Sequence, residues 1–389
     1  MSFPVHRIDP LPEFLVDDAL RDVLAAVPRA RMAGGCVRDA LLGRQVADID
    51  LATPDPPAVV MAALVAAGLK AVPTGLSHGT VTAVARHRGF EITTLRRDVA
   101  TDGRHAVVAF TDDWRADAGR RDFTINAMSM TVDGAVFDYF GGLADLAAGR
   151  VRFVGVAAER IGEDYLRVLR FFRFFARYGR GAADEAALAA IRAGVAGLGR
   201  LSVERVWGEI KRILVGPRPA EILGLMRKCG VLAAVLPEAG DGAGLAAIVA
   251  AGAPGDAVLR LAALISGDGV AVAGRLRLSG VEAGRLVAIR AAVVPGDDAS
   301  DDDLRRALAD TAKAVLIGAC WLAGRGDGLR ARLMAMAVPV FPLAGRDLVG
   351  VPAGPGMGVL LREIREGWLA GGCLADRAAC LAEVRRRTG

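Results

Sequence analysis

With 389 residues, 53% of them hydrophobic and only 5% aromatic, and a formal net charge of +5, the chain has the apolar length for two to four packed, helix-rich domains. Five cysteines with no C-x-x-C pair argue against a disulfide framework or a zinc ribbon, and four histidines, none beyond His105, leave no H-E-x-x-H and no His-Asp pair for a metal-dependent phosphohydrolase. No apolar run reaches the ~20 residues of a membrane span and the first residues lack a charged-then-apolar leader, so a cytoplasmic protein with no membrane partner is expected. Residues 17–27 read as an amphipathic helix and 30–33 as a short strand. That strand runs into Gly34-Gly35-Cys36-Val37-Arg38, a glycine turn opening a short helix, whose backbone N–H groups and Arg38 guanidinium form a phosphate cradle. A few residues on, Asp48-Ile49-Asp50 has a strand's alternation. Asp48 and Asp50 then share one face and Ile49 and Leu51 turn to the core, which gives two carboxylates able to share Mg²⁺ ions.

A helix over 56–67, stopped by Gly68, is followed by strands over Thr80–Ala85 and 90–94 with a hairpin turn at 86–89. Glu91 lies mid-strand between Phe90 and Ile92, where an acid is costly unless paired, metal-bound or solvent-facing, and is the candidate third carboxylate. Residues 96–114 are polar and irregular and read as a mobile loop containing Asp98, Asp102, Gly103 and Arg104. Arg120-Arg121-Asp122-Phe123-Thr124-Ile125-Asn126 offers an arginine pair for phosphates or ribose, an aspartate to orient a guanidinium and an apolar anchor. Phe137-Asp138-Tyr139-Phe140-Gly141-Gly142 closes this first region.

Beyond residue 150 the periodicity is helical. Asp164, Arg167, Arg170 and Arg173 recur every third residue, so each is expected to touch the next along one helix seated by Phe171, Phe174 and Phe175. Residues 202–212 read as a helix capped by Ser202, and 217–294 as short helices with no catalytic constellation. The acidic run 295–303 is a helix-starting loop and a domain boundary; Ala344-Gly345-Arg346-Asp347 and the glycines of 354–358 mark loops between the last helices.

These strings resemble the motifs of the DNA polymerase β-like nucleotidyltransferases, in the branch containing bacterial class II CCA-adding tRNA nucleotidyltransferases and poly(A) polymerases, closely over 34–211 and loosely after it. The resemblance implies an α+β fold: a nucleotidyltransferase head with a small mixed or antiparallel sheet at 1–146, then all-helical neck (147–216), body (217–296) and tail (297–389). It implies that C, C and A are added to the 3′ end of tRNA from CTP and ATP, with Asp48 and Asp50 holding two Mg²⁺ and Glu91 as third catalytic carboxylate. Gly34, Gly35, Arg38 and Arg121 would bind the nucleotide's phosphates and sugar, Asp164 and Arg167 would read the base with Arg170 and Arg173 in support, the 96–114 loop would help the switch from cytidine to adenosine, and the tail would grip the tRNA elbow. A poly(A) polymerase, a CC-only or A-only enzyme, and a non-catalytic RNA-binding scaffold are the alternatives. Hydrogen-bond chemistry favours the base-reading pair: cytosine and adenine each present an amino donor beside a ring-nitrogen acceptor, which a carboxylate next to a guanidinium complements, whereas uracil and guanine present the reverse.

Overall fold

The computed structural model describes residues 3–101, 106–348, 352 and 354–388. The chain forms two compact units, 1–237 and 238–389. The first unit opens with β1 (His6–Arg7), α1 (Asp18–Ala26), β2 (Arg31–Ala33), α2 (Gly35–Leu41), β3 (Asp50–Thr53), α3 (Pro57–Ala66), β4 (Lys70–Gly75), β5 (Thr80–Ala85) and β6 (Arg88–Thr94). It continues through β7 (Arg96–Thr101), β8 (Ala106–Phe110), α4 (Trp114–Gly119), β9 (Ser129–Met130), β10 (Ala135–Phe137) and α5 (Gly142–Ala148). Eight strands make one mixed sheet in the order β1-β10-β9-β2-β3-β6-β5-β4. Its β3–β6 pair is parallel and its other pairs are antiparallel.

Side-chain alternation decides which face of this sheet is covered. Val81, Ala83 and Ala85 of β5, Phe90 and Ile92 of β6 and Leu51 of β3 are all buried, and α1 and α3 pack over this side. Helix α1 starts where Asp17 accepts the Leu20 N–H at 3.0 Å, and it buries Ala19, Leu20, Val23 and Leu24 at helical spacing. Between buried neighbours, Asp50, Glu91, Thr82 and Thr93 point the other way and stay exposed or half-buried.

Two expectations are corrected here. Residues 96–114 are not an irregular loop: β7 and β8 form an antiparallel hairpin pairing Arg96 with Phe110 and Thr101 with Ala106, and α4 begins at Trp114. Val99, Val107, Val108 and Phe110 are strand formers that outweigh the polar residues between them; Asp102, Gly103 and Arg104 lie outside the described residues. The sheet also gains β4, whose Pro73 and Gly75 argue against a strand in its interior but are tolerated because β4 is its edge.

The unit ends in helices α6 (Ala157–Glu163), α7 (Leu166–Tyr178), α8 (Glu185–Gly194), α9 (Val203–Val215), α10 (Pro219–Lys228) and α11 (Val231–Val235). Ser202 stands at the N-cap of α9 but makes no side-chain cap bond. Helix α7 buries Val168, Leu169, Phe171, Phe172, Phe174, Phe175 and Ala176. Phe123 joins this layer, with ring centroids 5.1 Å from both Phe153 and Phe174. Each such ring contributes several kcal/mol if truncated to alanine, roughly 3–5 kcal/mol, so the segment after Arg121 is fixed firmly to α7.

The second unit is helical: α12 (Ala243–Ala250), α13 (Ala257–Leu264), α14 (Gly269–Arg275), α15 (Gly280–Ala291), α16 (Asp301–Asp310), α17 (Lys313–Leu322), α18 (Asp327–Ala335), α19 (Pro355–Ala370) and α20 (Arg377–Thr388). The acidic run starts a helix as expected, since Ser300 and Asp303 form a reciprocal capping box on α16. Leu304, Leu308, Leu316, Leu329 and Leu333 build one core, and Ile364, Trp368, Cys380 and Val384 another.

Candidate active site

The parallel pairing of β3 with β6 puts Asp50 beside Glu91, on strands about 4.8 Å apart. Asp48 precedes β3 instead of lying in it, yet the alternation expected for a strand holds: Asp48 and Asp50 are exposed while Ile49 and Leu51 are buried. Asp48, Asp50 and Glu91 line one cleft of about 490 Å³ with Arg88 and Gly89. Burial pushes the Asp50 carboxyl up, as do the charges of Glu91 and Asp48, against the opposing pull of Arg121. Like charges gathered in this way are relieved by a cation. Among the described residues no three His, Cys, Asp or Glu side chains are placed to hold a metal ion together. An open pair of hard oxygen donors suits Mg²⁺, which keeps positions for water and substrate phosphate.

The glycine turn sits at the end of β2. Gly34 has φ +78°, its N–H donates to the Met128 carbonyl at 3.1 Å, and a Cβ there would lie 2.7 Å from Nη1 of Arg121. Glycine therefore lets the Arg121 guanidinium lie directly on the turn. Arg121 is held by the Asn126 carbonyl and by Asp117 Oδ2, each at 3.4 Å. Arg38 is placed otherwise than as an open phosphate ligand. It is only 7% exposed, bonds to Asp39 at 2.9 Å and to Asn126 Oδ1, and stacks 4.3 Å from the Tyr178 ring. Tyr178 in turn donates to Asp39 at 2.9 Å.

Asp122 orients a guanidinium as expected, and the partner is Arg170 on α7, at 2.7 Å from its Nε. Burial would push the Asp122 carboxyl up, but Arg170, Asn126 and the Phe123 N–H outweigh it and hold the group below the usual carboxylate range. A depressed folded-state pKa stabilises the fold above the unfolded value near 4, and that contribution fades as pH falls below it. Asp122→Ala is expected to cost about 2–4 kcal/mol at pH 7, because it leaves Arg170 without its partner. Urea denaturation at pH 7 and pH 3 checks this: the gap between wild type and variant should shrink in acid.

The Asp164–Arg173 row does not chain residue to residue. Helix α6 ends at Glu163, Asp164 has extended backbone between the helices, and α7 begins at Leu166. Asp164 accepts the Leu166 N–H at 3.0 Å and pairs with Arg205 of α9 at 2.7 Å. Arg167 donates to Glu163 at 2.5 Å, to the Arg160 carbonyl at 2.8 Å and to the Arg120 carbonyl at 2.9 Å, leaving its Nε–H and one Nη2–H for a ligand. Arg173 bonds Glu209, which is 2% exposed, at 2.6 Å. Each arginine thus has its own acid, because the helix break and neighbouring elements offer nearer partners than the next member of the row.

Comparison with known proteins places this geometry. Residues 30–152 match the family model of the poly A polymerase head domain, and residues 183–241 match the probable RNA and SrmB-binding site of polymerase A. The chain is 37% identical over 380 residues to the mouse CCA tRNA nucleotidyltransferase 1, mitochondrial, covering 92% of this chain and 86% of the mouse protein. The chain belongs to the CCA-adding enzyme and poly(A) polymerase family. The CCA-adding enzyme of Lactiplantibacillus plantarum is 39% identical over 53% of this chain and 50% of its own length. The fold matches the Bacillus stearothermophilus CCA-adding enzyme in complex with CTP at a TM-score of 0.78 and 27% identity, covering 96% and 98% of the two chains.

Within this family member, three further residues position the arginines. Asp117, 3% exposed, bonds Arg120 at 2.9 Å, Arg121 and the Arg96 N–H, which turns Arg120 aside and leaves Arg121 over the glycine turn. Its signal was present, an acid three and four residues before two arginines in a helical stretch. Glu163 and Arg205, the partners of Arg167 and Asp164, carry the same kind of role; Arg205 lies 41 residues from Asp164, and no local pattern joins them.

Proposed function

We propose that this chain is a CCA-adding tRNA nucleotidyltransferase, joining C, C and A to the 3′ end of tRNA from CTP and ATP with release of pyrophosphate. The observation that carries the reading is the register of Asp50 against Glu91 on an open sheet face, next to Asp48 and the Arg121-covered glycine turn, in a chain so similar over nearly its whole length to a CCA tRNA nucleotidyltransferase.

Asp48 and Asp50 would hold Mg²⁺, which supplies charge neutralisation for the triphosphate and acidifies the attacking hydroxyl. The acceptor's terminal 3′-hydroxyl is set between Asp50 and Glu91. Arg121 and the backbone N–H of Gly35 hold phosphate, with Gly34, its own N–H tied to Met128, giving the turn its shape and Arg38, clamped by Asp39 and Asn126, bracing it. Helix α2 spans Gly35–Leu41, so the turn's own N–H groups matter more than a helix dipole. Asp164 accepts from the base's amino group and Arg167 donates to its ring nitrogen. Arg170 and Arg173 act at one remove, locking α7 to Asp122 and Glu209. The further division into head (1–146), neck (147–216), body (217–296) and tail (297–389), with the tail on the tRNA elbow, is part of this reading; the boundaries at 146 and 216 subdivide the first compact unit. So is a cytoplasmic site of action. Among the described residues no helix is long and apolar enough to cross a membrane.

Product length tests the activity. A tRNA transcript lacking CCA should gain three nucleotides and stop, and unstructured RNA should be a poor acceptor. Long adenosine tracts on an unstructured primer without CTP would identify a poly(A) polymerase instead.

A further inference from the structure

Helix α2 closes on a glycine turn that carries an arginine to the end of α7. Gly43 has φ +62° and donates to the Ala40 carbonyl at 2.9 Å, and the Arg44 N–H donates to the Asp39 carbonyl at 2.9 Å, the pair of bonds that ends a helix on a left-handed residue. The Arg44 guanidinium lies 4.9 Å from the centre of the Tyr178 ring, and its Nη2 donates to the Arg177 carbonyl at 3.5 Å. Arg177, in the last turn of α7, holds its own guanidinium 5.7 Å from the same ring. Both residues are exposed, and among the described residues neither meets a carboxylate. The fold does not use these charges. An arginine in a helix's last turn ordinarily answers the terminal carbonyls, but Arg218 already donates to those of Phe175, Ala176 and Gly179 at 2.8, 3.2 and 3.0 Å. Asp39, the acid at the Tyr178 hydroxyl, is taken up by that hydroxyl and by Arg38, each at 2.9 Å. Arg38 and Asp39 cancel, so two guanidinium charges remain beside one ring, and an anion relieves them.

We propose that Arg44 and Arg177 together hold one phosphodiester of the acceptor RNA strand, close to its 3′ end. The inference rests on the proposed function, which sets the terminal 3′-hydroxyl at the carboxylate cleft. Arg44 precedes Asp48 by four residues, so their Cα atoms are at most ~14 Å apart, and a phosphate on the pair belongs to one of the last few nucleotides. The incoming nucleotide's phosphates belong to the other end of α2, where Gly35 and Arg121 stand, about 10 Å away along the helix. Arg44 spends one N–H on the Arg177 carbonyl and Arg177 spends none of its own, which leaves enough donors to grip both free oxygens of a phosphodiester. Arg44 also borders a cleft of about 910 Å³ shared with Asp9, Glu13 and Asp17. Those acids repel a polyanion, so the strand follows the α7 side of Arg44.

The test uses full-length enzyme and a tRNA transcript lacking CCA, with binding followed by fluorescence anisotropy in rising NaCl and KM measured separately for tRNA and for CTP. Arg44→Gln and Arg177→Gln are each expected to raise the tRNA Kd and KM about 3–10-fold while the KM for CTP stays at the wild-type value. The double variant should reduce the slope of log Kd against log salt by about 0.7, the worth of one phosphate on a single strand, whereas Arg44→Lys and Arg177→Lys keep the charge and should keep the slope. An acceptor-stem minihelix should show the same loss as whole tRNA, because the phosphate is near the 3′ end. Unchanged tRNA affinity and slope in the double variant overturns the assignment, as does a loss confined to whole tRNA. A rise in the KM for CTP in place of the KM for tRNA also overturns it, by giving the pair to the incoming nucleotide. Failure of wild type to extend the transcript would overturn the proposed function itself, and is read separately because the binding measurement needs no turnover.

Discussion

Asp50→Ala is expected to lower nucleotide addition by at least about a thousandfold while leaving the fold intact. The side chain is exposed, at the start of β3, so its loss opens no cavity; Leu51, Ala52 and Thr53 still bury their side chains. On the proposed function the change would remove one of two carboxylates that would hold the metal-bound triphosphate and the attacking hydroxyl in line, and positioning and charge stabilisation together supply most of the acceleration in such transfers. Asp48→Ala should behave alike, and Glu91→Ala should be milder if Asp50 can still orient the hydroxyl. Labelled CTP incorporation in Mg²⁺, with circular dichroism as the fold control, checks the set. Addition near the wild-type rate by either aspartate variant would remove the carboxylate mechanism.

Asp164→Ala and Arg167→Ala are expected to relax discrimination against UTP and GTP by about 100-fold or more while reducing CTP and ATP addition less. On the proposed base-reading pair a wrong base would set a carbonyl against the Asp164 carboxylate and an N–H against Arg167, leaving polar groups unpaired, and sites of this kind reject such partners by factors up to about 10⁴. The structure adds a graded version of the test. Glu163→Ala removes the acid that fixes Arg167, 2.5 Å away, without touching the base, so its selectivity should fall between wild type and Arg167→Ala. Incorporation assays with all four nucleotides decide the matter, and unchanged selectivity in both direct variants would return Asp164 and Arg167 to a purely structural role.

The carboxylate-bearing face is legible in the sequence because its signals are local. Asp48 and Asp50 alternate with buried Ile49 and Leu51, and Glu91 alternates with buried Phe90 and Ile92, so period-two patterning places the acids on the open face without knowledge of the sheet order. The sheet order itself, and the pairing of Asp50 with Glu91, required the fold. Side chains tied across long separations were unreadable for the same reason: Asp122 finds Arg170 48 residues away and Arg173 finds Glu209 36 residues away. The hairpin β7–β8 is hidden by the polar composition of its stretch, although the β-branched residues within it favour strands. Arg38 shows the converse: its place in the glycine motif suggests an open ligand, whereas the rings of Phe174 and Tyr178 wall it in as a buried strut.

The arginine pairings of α7 also bear on how this protein should respond to salt. The chain carries 49 lysines and arginines, a number that suggests extensive phosphate neutralisation and a steep loss of RNA affinity with ionic strength. Yet Arg167, Arg170 and Arg173 already face Glu163, Asp122 and Glu209, and Arg120 faces Asp117. A guanidinium matched to an internal carboxylate displaces no condensed ions when a polyanion arrives. These four arginines therefore add little to the ion release that accompanies RNA binding, and part of the arginine content of this chain measures internal bracing instead of attraction for nucleic acid.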